Sequence, residues 1–264
     1  MEQKTPQDVA QKISNARGNA HDPKMYPGID ALLIQNPGRL YAFPIIGGLV
    51  KIIILIPQYF ILMILSMVVS IITVYLNSFA VLFTGRYMQI AYDLNLLYMK
   101  WYLKTTFFVS GLTDKYPGFY SEIRDTYSIT VQKPQNSKRF FAIPVIGYMA
   151  RYILIIPFSI WAAAVAYGSG YALLVNSFYV LFTGKYSETT FELIQDSTRL
   201  ALAQHMYFNG LSDTYPAFRI SMNHKYKKVF LILTGLVGYI LIMIVWLVLQ
   251  LMSSSLSGKE IPLK

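Results

Sequence analysis

The sequence predicts an all-α integral membrane protein, with two repeats of a hydrophobic helical hairpin plus an amphipathic interfacial helix, then a C-terminal transmembrane helix. Three observations predict this class. Of the 264 residues, 55% are hydrophobic and 14% are charged, whereas soluble domains carry roughly 25% charged residues. Two apolar runs are each much longer than the roughly 20 residues that one membrane span needs. The two halves of the chain also have matching sequences.

The internal match covers three collinear blocks. RLYAFPIIGGLVKIIILIP (39–57) matches RFFAIPVIGYMARYILIIP (139–157), NSFAVLFTGRY (77–87) matches NSFYVLFTGKY (176–186), and GLTDKYPGF (111–119) matches GLSDTYPAF (210–218). The offset is 100 residues in the first block and 99 in the later blocks, so one insertion or deletion lies between Pro57 and Asn77. A period near 100 residues is too long for a solenoid and predicts a duplicated membrane unit.

The block boundaries divide the chain into five segments. These are a polar N-terminal cytoplasmic segment (1–38), membrane repeat 1 (39–120), a linker (121–138), membrane repeat 2 (139–220), and a basic flank with the final transmembrane helix and tail (221–264).

The apolar runs 44–84 and 144–183 allow two topologies, a single crossing with an interfacial leader or a hairpin. The segments before, between and after these runs are all basic, and the positive-inside rule therefore favours hairpins that keep all three in the cytoplasm. Gly168-Ser169-Gly170 is the predicted turn of the second hairpin. Residues 229–252 are uncharged and predict one final span. We therefore expect a bacterial inner-membrane protein with a cytoplasmic N-terminus.

The formal net charge of +10 has two possible partners, nucleic acid or anionic lipid headgroups. The basic residues flank apolar segments, which favours lipid and argues against nucleic acid. Another membrane protein or a second copy of the chain is the expected protein partner. The chain has no cysteine and three scattered histidines, and we find no catalytic, nucleotide or metal-binding motif. We expect no enzyme activity, no cofactor and no metal.

Lys51 and Arg151 occupy the same repeat position, six residues before a proline. A charge within an apolar run is often functional, but such side chains also extend from a shallow helix to the headgroups, which is the interpretation we favour. Candidate residues for contact with lipid or a partner are the basic side chains Lys51, Arg151, Arg86, Lys185, Lys100 and Arg199.

Helices are predicted over about 87–111 and 186–210. Each carries a thin polar stripe, formed by Asp93, Lys100 and Lys104 in the first copy and by Glu192, Asp196 and Arg199 in the second. The stripes indicate either binding or proton-handling sites, or solvated faces of helices that lie on the membrane. We favour the solvated face.

Two further motifs predict structure. Each predicted helix stops at a glycine that is followed by aspartate, tyrosine and proline, a typical C-terminal stop with a tyrosine at the membrane interface. These residues are Gly111, Asp114, Tyr116 and Pro117, and Gly210, Asp213, Tyr215 and Pro216. Asn77 and Asn176 interrupt apolar sequence, where a hydrogen bond between helices is the usual role of asparagine.

The blocks VLFTGRY (81–87) with GLTDKYPGF, and VLFTGKY (180–186) with GLSDTYPAF, resemble the bacterial membrane-protein family known as domain of unknown function 4389. The resemblance covers about 39–119 and 139–219. The family usually has proline after the Arg-Tyr pair, where this chain has Met88 and Ser187, and Lys185 replaces arginine in the second copy. The resemblance implies tandem membrane units and no particular activity.

The leading hypothesis is a non-enzymatic membrane scaffold or accessory subunit of a membrane complex that contacts anionic lipid. One alternative is a transporter or channel for lipid or a small solute, with Lys51 and Arg151 facing a cavity. The other is a membrane-shaping hairpin protein.

Overall fold

The computed structural model describes residues 25–31, 33, 37–38, 43, 46–119, 127–135, 137–220, 235–238, 240, 243–244 and 246–251. Within these residues the chain is mostly helical, as the sequence predicts. The sheet consists of two short antiparallel strands, β1 (Gly28–Ala31) and β2 (Tyr127–Thr130). Short strands of this kind were not expected from the sequence, and they join the segment before the first apolar run to the linker between the halves.

The first apolar run forms a nearly continuous helical path. Its parts are α1 (Ile46–Ile54), α2 (Ile56–Ile71), a π-helical turn (Ile72–Asn77) and α3 (Ser78–Thr84). Pro57 lies in the first turn of α2, where its missing N–H costs no helical hydrogen bond. The path ends at Gly85, whose φ of 70° is left-handed, a conformation that glycine adopts without steric cost. The next helix, α4 (Gln89–Val109), then returns along the first.

The second apolar run forms one helix of 38 residues. A 3₁₀ turn (Arg139–Ala142) leads into α5 (Ile146–Thr183), which ends at the left-handed Gly184, and α6 (Glu188–Phe208) follows. Apolar side chains spaced three and four residues apart on α5 pack against α6, as expected for one buried helical stripe. The packed side chains are Ile155, Phe158, Ala162 and Val165 of α5 and Leu193, Leu200, Ala203 and Tyr207 of α6.

Two described helical stretches, Ile56–Thr84 and Ile146–Thr183, are long and apolar enough by length and composition to cross a membrane. Only 17% and 33% of their most apolar windows are buried within the protein, so neither resembles the covered core helix of a soluble domain. Large apolar side chains lie exposed along both stretches, among them Phe60, Met63, Ile153 and Phe182.

The predicted hairpins within each apolar run are wrong. Gly168-Ser169-Gly170 lies inside α5, with no turn there. Gly168 lies instead where another helical segment approaches α5 closely. A Cβ added at Gly235 would lie 2.0 Å from the Ala164 carbonyl oxygen and 2.8 Å from the Gly168 nitrogen. Small residues allow two helices to approach this closely. In the structure, each hairpin consists of the apolar helix and the helix that follows it.

The helices that follow the apolar runs pack more deeply within the protein than their polar stripes suggest. In α6, 13 of the 21 residues are buried, so this helix is an inner element rather than a peripheral one. Its other apolar side chains join those of α4 and the two strands in the main core, which includes Ile29, Met99, Leu103, Phe107, Val131, Phe191, Ile194, Leu202 and Met206. The apolar helices cover this core from outside.

Candidate functional site

The two turns between the paired helices have the same construction. The side-chain oxygen of Asn77 accepts a hydrogen bond of 2.8 Å from the Met88 N–H, and that of Asn176 accepts one of 2.9 Å from the Ser187 N–H. Each amide belongs to the residue immediately before the next helix, where backbone N–H groups lack helical partners. The asparagines therefore attach the end of each apolar helix to the start of its partner.

Each turn contacts the other half of the chain. The Tyr87 hydroxyl donates a hydrogen bond of 2.9 Å to the Asn209 carbonyl, at the end of α6. The Tyr186 hydroxyl donates one of 2.9 Å to the Ser110 carbonyl, at the end of α4. The start of α4 therefore meets the end of α6, and the start of α6 meets the end of α4, so these two helices run antiparallel.

A buried arginine lies beneath the second of the two helix stops. Arg151 is 3% exposed, and its guanidinium donates to the Tyr207 carbonyl at 2.7 Å and the Ser212 carbonyl at 3.0 Å. It also forms an ion pair with Asp213, and Asp213 in turn accepts a hydrogen bond of 2.6 Å from the Lys138 N–H. This charge cluster fixes the start of α5 to the chain that leaves α6.

The first half has a looser version of the same cluster. Lys51 is also 3% exposed, but its Nζ lies 3.9 Å from the Asp114 carboxylate, whose side chain is 27% exposed. Asp114 accepts a hydrogen bond of 2.5 Å from the Gly38 N–H. Lys51 also faces the Phe108 ring at 5.4 Å, a distance suited to a cation–π contact.

The positive φ of the two stop glycines places them against these basic side chains. Gly111 has a φ of 74° and Gly210 a φ of 71°. A Cβ added at Gly111 would lie 3.4 Å from Lys51 Nζ, and one at Gly210 would lie 3.7 Å from Arg151 Nη2. The left-handed backbone and the close approach both favour glycine here.

The remaining residues of the stop motifs pack inside the protein. The Tyr116 hydroxyl accepts a hydrogen bond of 3.1 Å from Gln58, and the Tyr215 ring lies 5.5 Å from that of Tyr207. Pro117 and Pro216 are buried. These tyrosines therefore have protein partners in addition to any interfacial role.

The polar stripes do not form solvated faces throughout. On α6, Asp196 and Arg199 are 2% and 6% exposed and form an ion pair of 3.1 Å. Arg199 also donates to the Ile29 carbonyl of β1 at 3.2 Å. The strand meets this part of the stripe and accepts a hydrogen bond from its guanidinium, which periodicity alone could not indicate. Glu192 is partly buried.

The stripe on α4 is more open. Asp93 is exposed and accepts a hydrogen bond of 2.8 Å from Gln89, and Lys100 is partly exposed. Lys104 is 3% exposed and lies 4.9 Å from the centre of the Trp101 ring. The solvated interpretation therefore fits the start of this stripe and fails toward its end.

The predicted lipid contacts need a corresponding correction. Lys51, Arg151 and Arg199 are buried in ion pairs, because each has a carboxylate within 4 Å, and none extends to the surface. Arg86 and Lys185 are exposed, one in each turn. Lys100 is partly exposed, so Arg86, Lys185 and Lys100 are the residues of this predicted set that are accessible at the protein surface.

Sequence reasoning missed two buried polar groups. Gln58 is fully buried, and its amide oxygen accepts a hydrogen bond of 2.7 Å from the Trp101 indole. Asn95 is equally buried and lies 2.9 Å from the His205 ring nitrogen. A glutamine just after the proline of an apolar run was an available signal for the first group, whereas the pairing of Asn95 with a histidine 110 residues away had none.

His205 also lies at the edge of a cavity of about 670 Å³ between α4, α5 and α6. The imidazole stacks on the Tyr98 ring, with 4.4 Å between centroids, and burial lowers the pKa of His205 to about 3. Other lining residues are Tyr102, Tyr152, Ile156, Ile160 and Gln204. Among the described residues, no group of three or more histidine or acidic side chains could hold a metal ion.

The described residues thus define a mostly helical protein with two helices that could cross a membrane and with its buried charges arranged in pairs. No family model matches the chain, and neither does any curated protein or solved structure. Membership of the family known as domain of unknown function 4389 therefore stays a prediction from the motif blocks.

Proposed function

We propose that this chain is a non-enzymatic protein of the bacterial inner membrane, a scaffold or accessory subunit that contacts anionic lipid and binds another membrane protein or a second copy of itself. The observation that carries the proposal is the apolar surface of α2, α3 and α5. Exposed side chains on these helices include Phe60, Met67, Phe83, Ile153 and Val175. A surface of this size is unusual on a soluble monomer and is typical of contact with lipid or a partner.

The proposed architecture is a duplicated unit. Tyr87 and Tyr186 make the same hydrogen bond, each to the opposite half, and β1 pairs antiparallel with β2 at matching positions of the two halves. Contacts of residue i with j, repeated as j with i, are typical of two-fold relationships. A rigid pseudo-symmetric core of this kind suits a scaffold.

The buried charges also favour a structural role over transport. Arg151 binds Asp213 and two carbonyl oxygens, and Arg199 binds Asp196 and a strand carbonyl. A transport site needs charges that exchange partners with a solute, whereas these side chains already hold helix ends and a strand. Lys51 lines a cavity of about 310 Å³, and it is the residue on which the transporter alternative depends.

Native mass spectrometry of the full chain, extracted from membranes in a mild detergent, tests the proposal. We expect a second protein or a second copy at fixed stoichiometry, together with bound phosphatidylglycerol in preference to phosphatidylcholine. The double variant Arg86→Gln/Lys185→Gln should lose most of the bound phosphatidylglycerol, and Lys115→Gln, which removes an exposed lysine outside the turns, serves as the control. A lone chain without anionic lipid, or a chain that alkaline carbonate releases from the membrane, would overturn the proposal.

A further inference from the structure

We propose that the folded core lies flat in the cytoplasmic leaflet, with one uncharged face in the hydrocarbon and with the β1–β2 face and both helix turns at the cytoplasmic surface. The occupant of the uncharged face is a single lipid leaflet. This inference rests on the proposed membrane function and specifies how the protein meets the bilayer. It differs from the simple alternative, in which α2–α3 and α5 cross the membrane from one surface to the other.

The first step concerns the positions of the two turns. Tyr87 contacts the end of α6, and Tyr186 contacts the end of α4, so the turns lie at opposite ends of the helical core. The 21 residues of α6 span about 30 Å, close to the thickness of the hydrocarbon region. If the helices crossed the bilayer, one turn would face the cytoplasm and the other the outside.

The charges at the turns are incompatible with such a crossing. The first turn carries exposed Arg86, and Arg139 lies beside it, with its guanidinium 3.7 Å from the position of a Cβ at Gly85. The second turn carries exposed Lys185. Short basic loops stay in the cytoplasm. A flat core satisfies this rule at both turns, whereas a crossing core breaks it at one.

The position of the two strands gives an independent reason against a crossing orientation. Arg199, near the middle of α6, donates to the Ile29 carbonyl of β1, so the strand pair lies beside the middle of the helical core. Asp30 and Ser128 on these strands are exposed. In a crossing orientation, this open two-stranded ribbon and its carboxylate would lie at the depth of the hydrocarbon. Exposed sheet edges do not occur there, because lipid cannot satisfy backbone hydrogen bonds.

A different face of the core, around the cavity between α4, α5 and α6, is uncharged and suited to lipid. The cavity is lined by tyrosines and apolar residues together with the neutral polar side chains of Ser159, Gln204 and His205. No aspartate, glutamate, lysine or arginine is among its described lining residues. Tyr98 and Tyr102 lie roughly 140–180° around α4 from Asp93 and Lys100. The rim of the cavity continues into the exposed apolar side of α5. This face can enter a leaflet without burying a charge, and its tyrosines suit the interface.

Single-cysteine labelling tests the orientation, because the chain has no cysteine of its own. Gln89 and Glu188 are the first residues of α4 and α6, and both are exposed. Gln89→Cys and Glu188→Cys therefore form a matched pair, one at each end of the core. Each variant is treated with a membrane-impermeant maleimide in right-side-out spheroplasts and in inverted vesicles, and Asp30→Cys reports the strand face.

We expect all three cysteines to be labelled in inverted vesicles and none of them to be labelled in spheroplasts. Reaction of Gln89→Cys and Glu188→Cys from opposite sides of the membrane would overturn the flat arrangement. Reaction of both from outside would overturn the placement of the core in the cytoplasmic leaflet. Equal labelling of all variants in detergent and unchanged elution of the protein show that each one folds. Labelling from opposite sides of a membrane-bound chain defeats this inference alone, whereas release of the parent chain by carbonate defeats the proposed function.

Discussion

Removal of one carboxylate, by Asp213→Asn, should destabilise the protein far more than the matched change Asp114→Asn. Arg151 is buried, and Asp213 is its ion-pair partner. In Asp213→Asn the guanidinium keeps its two carbonyl partners but loses its counter-charge. An uncompensated buried charge is costly because water cannot replace the lost partner.

The structure sets the expected difference between the two variants. For Asp213→Asn the loss should be about 3–5 kcal/mol of unfolding free energy, the usual effect of removing one partner of a buried pair. For Asp114→Asn we expect about 1 kcal/mol, because Lys51 Nζ is 3.9 Å from the carboxylate and the Asp114 side chain is 27% exposed. Water can reach this second site and compensate for part of the loss.

The assay is a titration of the purified protein from mild detergent into sodium dodecyl sulfate, with helix content followed by circular dichroism. The double variant Arg151→Met/Asp213→Asn removes both charges and should recover much of the loss, because an apolar side chain replaces the unpaired guanidinium. Equal losses for the two aspartate variants would refute the argument. So would a double variant at least as unstable as Asp213→Asn alone.

Three further predictions use the same assay. Gly210→Ala should lower the free energy of unfolding by about 1–3 kcal/mol, because the φ of 71° strains an alanine. The control Gly48→Ala has open space at its Cβ and should leave stability unchanged or raise it. Equal effects of the two substitutions would contradict the backbone argument. Tyr87→Phe should lower the free energy of unfolding by about 1–2 kcal/mol, because the Asn209 carbonyl loses its hydrogen bond. An unchanged midpoint of the unfolding titration would contradict the contact between the halves. The native pKa of His205 is about 3, below its ordinary 6.5, so the unfolded chain takes up a proton that the native state refuses, and stability falls as the pH drops below 6.5. Between pH 7.5 and 5.5 the wild type should lose about 1.4 kcal/mol more than His205→Gln, and parallel pH profiles would argue against a neutral buried imidazole.

The sequence predicts the helical class and the helix ends because those depend on local chemistry. Gly85 and Gly184 end the apolar helices in the left-handed conformation, and the Asn77 side chain bonds to the start of the next helix. Asparagine in an apolar run and glycine before a basic residue are local signals that one sequence contains.

The position of the hairpins could not be predicted in the same way. Gly168 resembles a turn residue, but its role depends on the close approach of Gly235, 67 positions later in the chain. Charge asymmetry predicts on which side of a membrane the basic segments lie, but it cannot decide which helices pair. Helix pairing is a property of packing that hydropathy does not record.

The candidate site was only partly predictable for a related reason. Periodicity places Asp196 and Arg199 on one stripe, but only the tertiary structure shows that β1 covers them. A charged stripe therefore looks solvated in sequence even where a strand covers it. Gln58 and His205 were missed because their partners, Trp101 and Asn95, come from distant helices.

The π-helical turn explains a numerical detail of the two halves. The stretch from Pro57 to Asn77 is one residue longer than that from Pro157 to Asn176, and the π turn Ile72–Asn77 lies within the longer stretch. In a π turn each N–H bonds to the carbonyl five residues back instead of four. The helix therefore accommodates the extra residue in one widened turn, and Asn77 still reaches the Met88 amide.

The widened turn also creates an acceptor that a regular helix would lack. The Thr73 carbonyl accepts hydrogen bonds from the Ser78 hydroxyl at 3.4 Å and from the Tyr148 hydroxyl at 2.8 Å, and Tyr148 belongs to the apolar helix of the other half. The one-residue difference between the halves, ordinarily a disturbance of helical register, thus coincides with a hydrogen bond between two otherwise similar units and makes their contact asymmetric.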